Sequence, residues 1–140
     1  MLFIIFSLKK RGEIMSFFFK GIDHVQLAAP IGCEEEARKF YGEQLGFKEI
    51  PKPENLQKRG GCWFICGNQE IHIGVQEGFQ PAKKAHPGFI VENLKALRSN
   101  LEEQKITIKE EAPIEGRERF FVDDPFGNRI EFLEFFHKSE

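Results

Sequence analysis

Three of the chain's four histidines and one of its glutamates are placed so that four donor atoms could meet at a single metal ion. His24 lies in Ile22-Asp23-His24-Val25-Gln26-Leu27-Ala28, a run alternating apolar and polar residues as a half-buried strand does. His72 lies within Ile71-His72-Ile73, and Glu131 within Ile130-Glu131-Phe132. In each case the donor faces away from its apolar neighbours, because successive strand residues point to opposite sides. His86 opens a further run that ends at Val91. Imidazole nitrogen and carboxylate oxygen suit one divalent ion of the Zn, Ni, Co, Mn or Fe(II) kind. Singly, each histidine reads first as a hydrogen-bonded or half-exposed strand residue, and Glu131 as a solvated carboxylate. The metal reading rests on their joint arrangement. His137, in the tail, falls outside it and is expected to be exposed.

That arrangement is a repeat. After the His24 strand, Pro30 and Gly32 break the chain, and Glu34 to Leu45 predicts a helix with acidic residues in its first turn. Ala37, Phe40, Tyr41 and Leu45 form its apolar stripe, and Gly46 supplies a left-handed stop. Strands are expected over 47–50, 61–66 and 71–76, with Gly67-Asn68 as the tight turn between the last two. Residues 81–85 link to a second round: a strand from His86 to Val91, then a helix capped by Asn93 with Leu94, Leu97 and Leu101 on one face. Strands over 106–109, 119–122 and 129–136 follow, the last two joined through Asp124-Pro125-Phe126-Gly127-Asn128. His24 and His86 thus occupy the first strands of the two halves, and His72 and Glu131 the last. The expected fold is α+β. Two tandem βαβββ modules, 21–78 and 85–136, form a curved, partly open mixed sheet with helices outside and donors inside.

Composition narrows the class of function. The 140 residues are 41% hydrophobic, enough for one domain with a core. Twenty basic residues against 22 acidic leave a net charge of −2, which gives no reason to expect nucleic acid or an anionic membrane as partner. Sixteen Phe against one Tyr and one Trp imply apolar rings filling a core rather than lining a binding surface. Cys33, Cys62 and Cys66 fit neither a disulfide framework nor a zinc ribbon, so free thiols in a reducing cytoplasm are expected. The apolar stretch Met1 to Phe6 is too short to span a bilayer and precedes its basic residues, the reverse of a secretory signal. Lys9 to Ile14 can be encoded by a purine-rich, ribosome-binding-like stretch just ahead of Met15, and residues 1–14 are read as a non-native extension.

Two further features bear on a substrate. Arg117 and Arg119, in Glu-Gly-Arg-Glu-Arg, read first as solvated loop arginines; the alternative is a bidentate hold on a substrate carboxylate or phosphate. Trp63 either lines the same cup or packs beneath it.

Gly21-Ile22-Asp23-His24-Val25, Phe40-Tyr41 through Leu45-Gly46-Phe47, Ile71-His72-Ile73, His86-Pro87-Gly88-Phe89 and Asp123-Asp124-Pro125-Phe126-Gly127-Asn128-Arg129-Ile130-Glu131-Phe132 together resemble the vicinal oxygen chelate superfamily. That group includes glyoxalase I, methylmalonyl-CoA epimerase, extradiol dioxygenases, fosfomycin-resistance thiol transferases and bleomycin-binding proteins. The resemblance covers about residues 21–136, and its closing Asp-Pro-Phe-Gly-Asn-Arg-Ile-Glu is the most specific part. It implies one divalent ion held by His24, His72, His86 and Glu131, a small-molecule substrate bound through neighbouring oxygens, and a homodimer. It implies isomerase, lyase or thiol-transferase chemistry; the alternatives are an antibiotic-binding protein of the bleomycin-binding type and an Fe(II) ring-opening dioxygenase. His72 departs from glyoxalase I, which resembles this chain but carries a carboxylate there. Three neutral imidazoles and one carboxylate leave the site more positive, with Glu131 as the catalytic base candidate among the four.

Overall fold

The computed structural model describes residues 9–10, 13–14 and 16–136, so His137 and most of the 1–14 segment lie outside the described residues. Strands β1 (Lys9–Lys10) and β2 (Glu13–Ile14) form a small antiparallel pair. The first module then runs β3 (His24–Ala29), α1 (Glu34–Ala37), β4 (Lys48–Ile50), β5 (Cys62–Cys66) and β6 (Gln69–Val75). The second runs β7 (Gly88–Ile90), α2 (Leu94–Glu103), β8 (Arg117–Asp123) and β9 (Arg129–Phe135). None of the helices among the described residues is long and apolar enough to cross a membrane.

The expected two-module plan holds, as two mixed sheets rather than one continuous sheet, with the second module one strand short. The first has the order β3-β6-β5-β4 and the second β7-β9-β8. In each, the module's first strand lies parallel to its last, and the remaining pairs are antiparallel. The second module's expected strand over 106–109 is reduced to one antiparallel bridge, Lys109 to Phe121. His86 stands before β7 instead of opening it; Pro87, which has no N–H to offer a ladder, separates the two.

The first helix also departs from expectation. After α1 the chain widens into a π-helical segment, Arg38–Gln44, in which the Leu45 N–H reaches back to the Phe40 carbonyl. Such a wide turn lets the adjacent Phe40 and Tyr41 both be buried, which a regular 3.6-residue stripe accommodates less well. A 3₁₀ helix, Glu54–Arg59, follows Pro53 where no element was expected. Asn93 caps α2 as predicted: it takes a left-handed conformation and its side chain accepts from the Ala96 N–H.

Strand parity sorts the two sheets. Phe64, Ile71 and Ile73 of the first and Phe89, Phe120, Val122, Ile130 and Phe132 of the second belong to one buried cluster, together with Ala37, Phe40 and Tyr41. The modules therefore share a core through their helix-side faces, with the Phe47 and Phe89 rings 5.6 Å apart across the junction. His72 and Glu131 alternate with these core residues and so stand on the outer faces.

A buried polar knot fastens the junction. Asp124 accepts from the Tyr41 hydroxyl at 2.6 Å, from the N–H groups of Phe126 and Asn128 at 2.9 and 2.8 Å, and from the Asn128 side chain at 2.9 Å. The Asn128 amide also donates to the Ala28 carbonyl in β3, at 2.8 Å. Burial, reinforced by the Asp124 charge, pushes the Tyr41 hydroxyl well above its ordinary value, so it stays a proton donor. Tyr41→Phe removes one donor from a buried carboxylate and is expected to destabilise the chain by about 1–3 kcal/mol, read from the urea midpoint. A loss of only about 0.3 kcal/mol or less would show that the knot does not fasten the modules.

Candidate functional site

On the outer face of the first sheet, three rings lie in a row. Trp63 is directly opposite His72 in the β5–β6 ladder, and their rings stack at 3.7 Å with an interplanar angle of 1°. His24, one strand further on, stacks on the other side of His72 at 4.1 Å and 14°. His72 is only 4% exposed, held between the two rings. The sequence left the place of Trp63 open; here it forms the wall against which His72 rests. Beside it lies a cavity of ≈ 230 Å³ bordered by Gln26, Lys52, Arg59, Trp63 and Gly74.

Two glycines, Gly74 on the cavity's lining and Gly61 next to the lining residue Gly60, let the backbone pack closely there. A Cβ on Gly61 would fall 2.0 Å from the Ile73 carbonyl oxygen, and the residue's φ of +81° is one that side-chain-bearing residues avoid. A Cβ on Gly74 would fall 2.5 Å from the Gln26 amide nitrogen, so Gln26 lies across the bare backbone there. The Gly61 N–H donates to Glu34 in α1 at 2.9 Å.

The second module carries the other pair. His86 Nε2 is 3.7 Å from Glu131 Oε1. Arg119 donates to the same oxygen at 3.0 Å and also to the Ala112 carbonyl. Arg117 and Arg119, whose context reads as loop, belong to β8, on the same face as Phe121 and Glu131. Arg129 was not singled out from sequence. It lies on this face too, with its guanidinium 4.2 Å from the Phe121 ring centre.

Each imidazole has one ring nitrogen committed and one uncommitted. His24 Nδ1 contacts Asp23 at 2.9 Å, His72 Nε2 contacts Glu70 at 3.0 Å, and His86 Nδ1 donates to the Lys84 carbonyl at 2.8 Å. Metal-ligating histidines commonly show this pattern, because an acceptor on one nitrogen orients the ring and presents the other. The 3.7 Å between His86 and Glu131 is also near the separation of about 3.4 Å for two donors on one tetrahedral ion. The donor chemistry and its supports fit a divalent ion. Glu70 was legible in principle: it sits two residues before His72 on a strand, hence on the same face.

One chain does not bring all four donors together. His24 meets His72, and His86 meets Glu131, but among the described residues no group of three or more His, Cys, Asp or Glu side chains is placed to hold one ion. The shared core explains this, since each pair stands on the face of its sheet turned away from it.

A family model described as the Glyoxalase/Bleomycin resistance protein/Dioxygenase superfamily matches residues 21–132. The chain belongs to this superfamily. Among solved structures, a glyoxalase family protein from Bacillus anthracis is 58% identical over 87% of this chain and 100% of its own, with a TM-score of 0.84. A glyoxalase family protein from Enterococcus faecalis is 27% identical, covering 84% of this chain and 100% of its own, with a TM-score of 0.67. Lactoylglutathione lyase from Agrobacterium tumefaciens shares the fold at 18% identity and a TM-score of 0.65, over 82% of this chain and 93% of its own. No curated protein matches the chain. Within the superfamily fold, His72 and Glu131 lie on equivalent strands of the two modules, while His24 opens β3 and His86 stands just before β7.

The three cysteines are free, and burial pushes the Cys62 thiol up to about 12, so it is no nucleophile at neutral pH. Glu34, by contrast, is held below its ordinary value of 4.5, chiefly by the hydrogen bond from the Gly61 N–H. A lowered carboxylate contributes stability above its unfolded value, and that contribution is lost as pH falls through the folded one. The stability advantage of wild type over Glu34→Gln is therefore expected to shrink as pH drops below 4.5 in urea titrations. An advantage that stays constant with pH would remove Glu34 from the support of the Gly61 backbone.

Proposed function

We propose that the protein is a metal-dependent enzyme of the glyoxalase type, acting on a small substrate that presents two neighbouring oxygens. The observation that carries this reading is the pairing of every histidine donor with an outer acceptor, two on β3 and β6 and one beside Glu131. His24, His72, His86 and Glu131 would hold the ion, which when bound would polarise the substrate's two oxygens. Glu131, the one carboxylate among the four, is the group suited to carry a proton to and from a substrate carbon. Arg119, donating to Glu131 at 3.0 Å, orients that carboxylate and balances its charge. Trp63 offers an apolar wall to the rest of the substrate, the cavity beside it adds the polar groups of Gln26, Lys52 and Arg59, and Arg117 and Arg119 form a cationic face.

The division of the donors into outward-facing pairs favours a site built between two copies, with β3 and β6 of one chain meeting β7 and β9 of another. Ile22 and Ile90, 65% and 73% exposed next to the His24 and Gly88 strand starts, give such a contact apolar surface.

Two measurements test the reading. Trp63 is the chain's single tryptophan and is stacked on His72, so its emission responds to what His72 binds. Titration with Co(II) or Ni(II) is expected to quench it to a saturating endpoint, with the response lost in His72→Ala. Unchanged emission with ion retained would remove His72 from the ligand set. The second mixes two inactive chains, His24→Ala/His72→Ala and His86→Ala/Glu131→Gln, after joint refolding. A site shared between chains regenerates one intact site in each heterodimer, about a quarter of wild-type ion content and turnover for random pairing. A site within one chain regenerates none.

A further inference from the structure

We infer that Arg117 is the anchor of an oxyanion subsite at the far end of the Glu131 face, which takes a carboxylate or phosphate-type group of the ligand. Arg117, Arg119, Phe121 and Asp123 alternate along one face of β8, opposite Phe135, Leu133, Glu131 and Arg129 of β9. The three arginines on this face differ in their commitments. Arg119 is engaged with Glu131 and the Ala112 carbonyl, and Arg129 with Glu111 and the Lys84 carbonyl. Arg117 has neither a hydrogen-bond nor a carboxylate partner among the described residues; its guanidinium only stacks on the Phe135 ring, 4.6 Å from the centre.

The Nε atoms of Arg117 and Arg119 are both buried and both without a hydrogen-bond partner. A guanidinium presents its donors as a planar fork matched to the two oxygens of a carboxylate or a phosphate edge. The stack on Phe135 fixes the plane of that fork, so little freedom is lost when an anion arrives. Three of the four carboxylates that line the groove beside it are turned away or paired elsewhere, and the fourth, Glu115, makes no hydrogen bond to it. Glu118 projects from the opposite face of β8, Glu110 pairs with Arg98, and Glu111 pairs with Arg129. A groove of ≈ 980 Å³ between α2, the 110–116 loop and β8 gives an anion access to Arg117 and Arg119.

Position along the strand sets the ligand's length. Phe121 is opposite Glu131, and Arg117 lies four residues before it, about 13 Å away at roughly 3.3 Å per residue. Allowing for side-chain reach, the oxyanion would sit on the order of 10 Å from the oxygens presented near Glu131. The metal-dependent reading above supplies that second point, and with it the ligand is an extended molecule with an anionic tail rather than a two- or three-carbon acid. The anion subsite itself stands without it.

The test is calorimetric titration of the full chain, freed of metal by a chelator, with inorganic phosphate and separately with succinate. Wild type is expected to bind at least one of them. Arg117→Gln should weaken that binding tenfold or more, Arg117→Lys should keep part of it, and Lys39→Gln in the π-helical segment should leave it unchanged. Circular dichroism checks that each variant is folded. Whichever anion loses affinity in Arg117→Gln identifies the group. No binding of either anion to wild type, or equal binding by folded Arg117→Gln, overturns the subsite. Ion content measured on the same proteins after reconstitution separates the two ideas. A wild type that retains no metal but binds the anion through Arg117 sinks the enzyme reading and upholds the subsite.

Discussion

A buried carboxylate joins the two halves of this protein. Asp124 sits in the turn between β8 and β9, yet it takes the hydroxyl of Tyr41 from the first module, and its neighbour Asn128 reaches the Ala28 carbonyl in β3. Four donors converge on it. A carboxylate with fewer would be costly to bury, so the turn, the π-helical segment and the end of β3 have to be in place together. The junction they define lets Phe47 meet Phe89 and lets both sheets bury their helix-side faces in one cluster.

The direction of every donor follows from that shared core. Ile71 and Ile73 are buried in it, so His72 between them is turned outward; Ile130 and Phe132 do the same for Glu131. The outer faces are not left loose. Trp63 and His24 clamp His72 from both sides, while Arg119 and His86 converge on Glu131. Donor strands β6 and β9 are interior strands of their sheets, hydrogen-bonded on both edges, which gives these two side chains the least mobile backbone available.

Much of this was legible in the sequence, because strand parity and repetition are local signals. The alternation around His24, His72 and Glu131, the turn residues at 124–128 and the Asn93 cap each carry their own evidence in neighbouring residues. What escaped was set by contacts distant in sequence. The wide turn at Arg38–Gln44 answers the need to bury Phe40 and Tyr41 side by side against another module. Arg117 falls outside the expected 119–122 strand because the charged run 117–119 masks the start of a strand whose other face holds Phe120 and Val122. That one chain gathers its donors only in pairs could not be read from spacing, since it depends on which faces of the two sheets pack together.

The single bridge at Lys109 makes the two halves of the repeat unequal in what they can tolerate. In the first module a three-residue strand, β4, shields the edge of β5, and changing its length would disturb a ladder. In the second, the edge of β8 is covered mainly by an irregular loop, while β9 and its Glu131 are secured on the other side by β7. The 110–116 loop can therefore vary without breaking a ladder, provided the Ala112 carbonyl still meets Arg119. The first module's edge is fixed by a ladder, and the second's is left to a loop.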